Sequence, residues 1–284
     1  MPFNIGINQM PSIKNLALVV IASLFAAETF AAPISITLTS PTSRTGVDSD
    51  SAYAMSYNYV KPEVSLNLTG WTYGVTETVV NDTCKTWKPK TKTTPKTCIA
   101  WNTKTTKTPD NKAKQVLVGN FGSSNGIGVE KASTPNHAMD NEGGYFDMVM
   151  LSFSSLVTLN SIDLGWISND SDVSILAFNG TPGQLSPAGK SWESLLGNGW
   201  QSAGNYYNVG SSPKTVNPLN ITSQYWLIGA YNPLLDSITK DTNTDYFKLQ
   251  GIKVTKVVKV PEPSALVLLG LGLLSLVAVR RRKI

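Results

Sequence analysis

The sequence predicts an all-β protein: a β-sandwich body of the jelly-roll kind, with an N-terminal signal helix and a C-terminal transmembrane helix. Three observations predict this fold class. Short runs alternate between apolar and polar residues, clusters of Gly, Pro, Asn and Asp separate those runs, and a helical period is confined to the two termini. The seven Trp, ten Tyr and eight Phe can build a sizeable core, so a charged content of only 15% does not indicate disorder.

Alternation identifies the individual strands of the body. At the start of the body, Ile34, Ile36 and Leu38 fall on one face and the Ser and Thr residues between them fall on the other. This pattern is typical of a half-buried strand. Further strand-like runs cover residues 64–73, 115–121, 148–153, 161–166, 173–178, 223–230 and 246–257, and one helical turn is predicted at residues 193–196.

The N-terminus has the layout of a secretory signal peptide. Lys14 supplies a positive charge, residues 16–27 are almost entirely apolar, and small residues follow. Cleavage by signal peptidase between Ala31 and Ala32 would put Thr29 at the −3 position. The alternative is an uncleaved membrane helix, but 12 residues fall short of the about 20 that are needed to span a bilayer.

The C-terminus holds a short apolar helix between two distinctive segments. The segments are Pro261, Glu262 and Pro263 before the apolar run 265–279, and Arg280, Arg281 and Arg282 after it. Because proline cannot continue a helix, the helix should begin near Ser264. Sixteen residues reach about 24 Å, less than a hydrocarbon core of about 30 Å. The basic residues keep the C-terminus in the cytoplasm, so the body is left outside the inner membrane.

This tail resembles the PEP-CTERM sorting signal, in which Pro-Glu-Pro, a short Leu- and Gly-rich helix and an Arg cluster follow one another at the very end of the chain. The resemblance implies that exosortase, a membrane protease of biofilm- and exopolysaccharide-forming bacteria, cleaves close to residues 261–263. It also implies a transient inner-membrane anchor and release to the cell surface or extracellular matrix. The alternative, a plain tail anchor, gives no reason for the two prolines and the glutamate.

The chain therefore divides into a signal peptide (1–31), a body (32–258) and a sorting signal (259–284). The net charge of +5 is unevenly distributed. Residues 32–260 carry 19 basic and 17 acidic groups, a net of +2, whereas the segment 82–114 alone has nine Lys against two Asp, a net of +7. The remainder is therefore −5. One basic arm on a mildly acidic body does not fit a nucleic-acid-binding domain, which is basic over a broad face.

The two cysteines, Cys84 and Cys98, are predicted to form a disulfide, because an exported protein folds in an oxidising compartment. Closing this loop is worth about 3 kcal/mol in chain entropy. The Lys- and Thr-rich residues between them cannot bury a core. They should therefore form a protruding hairpin or Ω-like loop whose base is closed by the disulfide. It is either a solvated insertion or a cationic arm that contacts anionic polysaccharide, lipopolysaccharide phosphates or extracellular DNA. Trp87 and Trp101 either stack on sugar rings or cover the disulfide.

A second cluster of polar residues could bind calcium, which takes hard oxygen ligands. The candidate ligands are Asp140, Asn141, Asp147, Asp170 and Asp172. The alternative is that these side chains form Asx-turns and caps. The segments 135–147, 162–176 and 225–231 also resemble a family of exosortase-dependent surface proteins with a shared β-rich body, and this resemblance implies a location rather than a reaction.

Catalysis has little support in the sequence. The single histidine, His137, has no nucleophile motif beside it. A glycosidase needs only two carboxylates, and Glu142, Asp147 and Asp163 are the candidates for such a pair. We therefore expect a protein that is not an enzyme and has no resident cofactor, apart from calcium as a candidate. The predicted function is a structural or adhesive component of the surface or biofilm matrix. The alternatives are a lectin-like carbohydrate-binding module, assisted by calcium, and a secreted hydrolase.

Overall fold

In the computed structural model, the body comprises residues Thr29–Val258. The residues described are 28–49, 52–129, 137–235 and 243–259, with four helical positions at Gly270, Gly272, Leu273 and Arg280. Most of the predicted signal peptide, the Pro-Glu-Pro segment and the last two arginines lie outside the described residues. Among those described, no helix has the length and apolarity to cross a membrane. The predicted C-terminal transmembrane helix stays a prediction.

The described part of the body is built almost entirely from β-strands. The strands are β1 (Glu28–Phe30), β2 (Ile34–Thr37), β3 (Ser43–Val47), β4 (Tyr53–Val60), β5 (Ser65–Lys88), β6 (Thr97–Val116), β7 (Val118–Asn120), β8 (Ile127–Val129), β9 (Met139–Asp140), β10 (Met148–Asn169), β11 (Val173–Phe178), β12 (Trp200–Tyr206), β13 (Lys214–Thr215), β14 (Thr222–Ala230) and β15 (Asp245–Lys259). One short helix, α1 (Trp192–Leu196), and 3-10 turns at Glu142–Gly144, Pro182–Gln184 and Pro233–Leu235 complete the described elements.

The strand pairings close on themselves. The strand β10 pairs with β5 and β14 along its first half and with β15 along its second half. From β15 the hydrogen-bonded ladder continues through β8, β7 and β4 back to β5, and β11 and β12 extend the sheet beyond β14. The prediction of an all-β, barrel- or sandwich-like body is thus confirmed, whereas the jelly-roll strand order stays a prediction.

The sheet β10–β14–β11 is buried on both faces. Along β11, Val173 and Ile175 belong to the main core enclosed by the closed strands, and Leu176 and Phe178 belong to a second core on the opposite face. The second core is covered by α1, whose Trp192 is fully buried. Burial on both faces explains why β11 is an almost unbroken apolar run rather than an alternating one.

Two predicted strands prove to be one. The runs 148–153 and 161–166 lie in the single strand β10, whose register with its neighbours shifts between Ser152 and Val157 and again between Leu159 and Ser161. Bulges at these shifts accommodate the extra residues between the two runs within one strand. The helical turn predicted at 193–196 is α1, and the Ser191 side chain caps it by accepting a hydrogen bond from the Ser194 N–H.

Two buried tyrosines connect distant segments. The Tyr59 hydroxyl donates to the Leu38 carbonyl (2.6 Å), and the Tyr73 hydroxyl accepts from the Trp192 N–H (3.0 Å). Burial raises the pKa of Tyr59, and burial raises the pKa of Tyr73 to about 12. Both phenols are therefore held in the neutral form in the folded protein.

We predict that Tyr59→Phe lowers the free energy of unfolding by about 1–2 kcal/mol at neutral pH, because it leaves the Leu38 carbonyl without its buried donor. Since folding raises the pKa, the wild type should lose stability as the pH rises above the ordinary phenol value of 10.0. The variant should lose less. Urea unfolding at pH 7 and near pH 11 measures both effects, and Tyr145→Phe, at a half-buried position, is the control. Equal alkaline losses in all three proteins would contradict the prediction.

Candidate functional site

Three buried carboxylates converge where two distant parts of the chain meet. Asp170 and Asp172 lie in the link between β10 and β11, and Asp245 is the first residue of β15. All three residues are at most 7% exposed. One oxygen atom from each side chain lies within 4.8 Å of the others. Burying a carboxylate costs free energy unless it is hydrogen-bonded or neutralised by a positive charge. The cluster therefore needs hydrogen-bond donors or a cation.

Backbone and amide N–H groups supply many of those donors. The Ser171 N–H donates to Asp170 Oδ1 (2.7 Å), and the Asn208 N–H donates to Asp172 Oδ1 (2.6 Å). The Asp172 N–H in turn donates to Asp245 Oδ1 (2.7 Å). These bonds fix the loop between β10 and β11 against the start of β15.

Asn141 binds the same cluster from a third segment. Its Nδ2 donates to Asp245 Oδ2 (2.6 Å) and to the Tyr231 carbonyl (3.0 Å), and its Oδ1 accepts from the Asp245 N–H (2.9 Å). The backbone of Tyr231 also donates to the Asp172 carbonyl, and its ring packs on that of Tyr207, with centroids 5.6 Å apart. Tyr231 is buried and Tyr207 is half-buried.

The structure brings together only part of the predicted ligand set. Asn141, Asp170 and Asp172 meet at the cluster, whereas the Asp140 side chain accepts from the Glu142 N–H (3.1 Å) in a local turn. Asp147 is buried, and its N–H donates to the Asp140 carbonyl (2.9 Å). Asp245 was not among the predicted ligands. A signal was present, because Asn243, Thr244 and Asp245 form a polar group directly before the predicted strand 246–257.

His137 and Lys248 lie in a cluster of aromatic rings. The His137 ring stacks on Phe121, with centroids 5.7 Å apart, and meets Tyr53 edge-on at 5.6 Å. The Lys248 amine lies over the rings of Phe121 (4.2 Å) and Trp166 (4.8 Å), and burial lowers its pKa. These contacts give His137 and Lys248 a packing role.

The carboxylates considered for a glycosidase have different surroundings. Asp163 lies on the second half of β10, opposite Gly251 of β15, and partial burial raises its pKa. Asp147 precedes β10 and is buried, and Glu142 is exposed in a 3-10 turn.

The Lys- and Thr-rich segment is part of a long two-stranded hairpin. The strands β5 and β6 pair from Gly70 opposite Val116 to Lys88 opposite Thr97. The predicted disulfide between Cys84 and Cys98 is present, with Cα atoms 5.8 Å apart. It closes the loop 85–97 at its base, and the paired strands continue from there back to Gly70 and Val116. The length of the two paired strands was not predicted, because a ribbon that is exposed on both faces has no apolar alternation.

The fold and the tail together define a class of protein: a β-rich body joined to a C-terminal membrane-transient sorting signal. Residues 259–283 match the PEP-CTERM protein-sorting motif. The chain is therefore an exported protein that carries the signal recognised by exosortase. No curated protein and no solved structure matches the chain. Arg280, in helical conformation, is the one predicted sorting residue that the structure describes.

We predict that Asp245→Ala lowers the free energy of unfolding by about 3 kcal/mol, because it removes a buried acceptor shared by Asp172 and Asn141. Chemical denaturation measures the change. Asp163→Ala is the control, since Asp163 is a less buried carboxylate on the same sheet. An equal loss in the two variants would contradict the structural role assigned to Asp245.

Proposed function

We propose that the mature protein is a structural or adhesive component of the cell surface or the biofilm matrix, in contact with exopolysaccharide. The observation that carries this proposal is the PEP-CTERM motif at residues 259–283, because a sorting signal commits the body to a location outside the inner membrane. A non-catalytic role agrees with the use of His137 and the buried carboxylates in packing and internal hydrogen bonds.

Two cleavages would produce the mature form. Signal peptidase would cut between Ala31 and Ala32, which removes β1 and keeps β2, whose first residue is Ile34. Exosortase would cut near residues 261–263 and free the body from its inner-membrane anchor. A helix of sixteen residues is about 24 Å long, so it is a marginal span and suits a temporary anchor.

We predict that mass spectrometry of the surface fraction finds a product that begins at Ala32 and lacks residues 264–284. Replacing Pro261, Glu262 and Pro263 with alanine should keep the tail uncut and retain the full-length chain in the inner-membrane fraction, because the helix and the arginines remain. The wild-type chain in a host without exosortase is the matched control. Intact tails on wild-type protein in a host with active exosortase would contradict the proposal.

The second candidate function is a calcium-assisted, lectin-like carbohydrate-binding module. The convergence of Asp170, Asp172 and Asp245 within 4.8 Å favours it, because several carboxylate oxygens are the ligands that calcium prefers. The half-buried ring of Tyr207 packs on Tyr231, whose backbone bonds to Asp172 and Asn141, and this ring would be the aromatic contact for a sugar. The same convergence is compatible with a purely structural tie between loops.

The calcium candidate predicts that saturating calcium raises the melting temperature. At a concentration about 100 times the dissociation constant the gain is about 2.7 kcal/mol, or roughly 5–10 °C for a body of this size. Differential scanning calorimetry in calcium and in chelator measures it. Asp172→Asn should abolish the shift, and Asp163→Asn should keep it. Identical melting of the wild type in calcium and chelator would leave the structural tie as the explanation.

A further inference from the structure

The hairpin beyond the second core forms a distinct surface, which we call the arm, residues 75–109. This segment contains seven Lys and only two acidic residues, Glu77 and Asp82, so its net charge is +5. Where side chains are described, all are exposed except those of Cys84, Cys98 and Ala100, which are half-buried. The arm is therefore a cationic ribbon in water on both faces.

The tip of the arm carries two indole rings next to the disulfide. In the strand register Trp87 lies opposite Cys98, and Trp101 lies opposite Cys84. Residues opposite one another in an antiparallel ladder share a face of the ribbon. Since Cys84 and Cys98 are bonded to each other, both indoles lie at ladder positions opposite the disulfide.

A lysine accompanies the indoles at the tip. The Lys96 amine lies 4.6 Å from the centre of the Trp87 ring. The tip therefore presents flat apolar rings and a positive charge together, and the covalent link between the two strands holds them in place.

Large apolar side chains are also exposed along the arm. Trp87 and Trp101 are 47% and 46% exposed, and the aliphatic side chains of Val79, Val80 and Ile99 are 60%, 45% and 61% exposed. Exposed apolar groups that are concentrated on one charged projection indicate an interaction surface rather than scattered surface residues.

We propose that the arm binds an anionic lipid surface, with its indoles in the headgroup layer and its lysines on lipid phosphates. Tryptophan favours the membrane interface because its ring has an apolar body and a polar N–H group. Lysines near an anionic surface each add to the attraction. The exposed side chain of Ile99, next to Cys98, decides between partners, because it has no ring to stack on a base or a sugar but gains by entering an apolar layer.

This inference goes beyond the sorting role, although it needs the export on which the proposed function rests. After the tail is removed, the arm would hold the body at a membrane face by reversible contacts. Binding to lipid is measured on the mature body, residues 32–258, which has its own cores within one compact unit. A negative result therefore leaves tail processing and surface location standing.

The experiment is co-sedimentation of the mature body with phosphatidylcholine vesicles that either contain or lack phosphatidylglycerol. Binding should require phosphatidylglycerol. Replacing Lys88, Lys90 and Lys92 with glutamine should weaken binding by roughly 100-fold, since each lysine near the surface is worth about a factor of five. The matched control replaces Lys61, Lys214 and Lys253, which removes the same charge from the body and should change binding by less than about threefold.

A second variant separates lipid binding from general charge attraction. Trp87→Ser combined with Trp101→Ser keeps every charge and should weaken vesicle binding by roughly tenfold or more, because the interfacial anchors are lost. The melting temperature of the body should be unchanged, since neither indole belongs to a core. Equal binding to both kinds of vesicle, equal losses in the two lysine variants, or full affinity in the tryptophan variant would overturn the proposal. Arm-dependent binding to soluble alginate without vesicle binding would replace the lipid with an anionic polysaccharide.

Discussion

The body depends on one long strand, β10, that serves different neighbours along its length. Its first half is shared by β5 and β14, and its second half by β15 and β13. A change of partner requires a change of direction, and the bulges near Ser154 and Asn160 allow it because a bulge bends a strand and increases its twist. Both hydrophobic cores contain residues of this strand, so neither core can form without it. We therefore expect the closed sheet to unfold as one cooperative unit.

The carboxylate cluster lies at the end of the ladder between β10 and β15. Asn169, the last residue of β10, pairs with Asp245, the first residue of β15, and Asp170 follows directly. Beyond this pair the ladder has no further strand residues, and the hydrogen bonds of Asp172 and Asn141 to Asp245 replace it. Donors from four separate segments, at residues 141, 171–172, 208 and 243, offset part of the free-energy cost of burying these charges at the end of the sheet.

Local patterns predicted much of the fold, and long-range relations did not follow from them. Three features were predicted from the sequence: the buried strand Val173–Phe178, the helical turn at 193–196 and the Cys84–Cys98 disulfide. The first two depend on neighbouring residues, and the third follows from there being only two cysteines. Asp245 could not be joined to Asp172, since 73 residues separate them. The continuity of β10 was hidden because bulge residues have the composition of turns. The extent of the strands in the arm was not predicted, because a strand that buries neither face lacks the period-two alternation of apolar residues.

The positive charge of the arm is not neutralised by the body. The body outside residues 82–114 has a net charge of −5, but Asp140, Asp147, Asp170, Asp172 and Asp245 are all buried, so its outer surface is less acidic than the sequence indicates. Fourteen residues of extended strand, 75–88, reach about 40 Å. Charge interactions in physiological salt decay over about 8 Å. The lysines at the tip are therefore several screening lengths from the body and are not neutralised by it. Under the proposed binding to an anionic surface, the field of the arm would therefore set the orientation of the first contact.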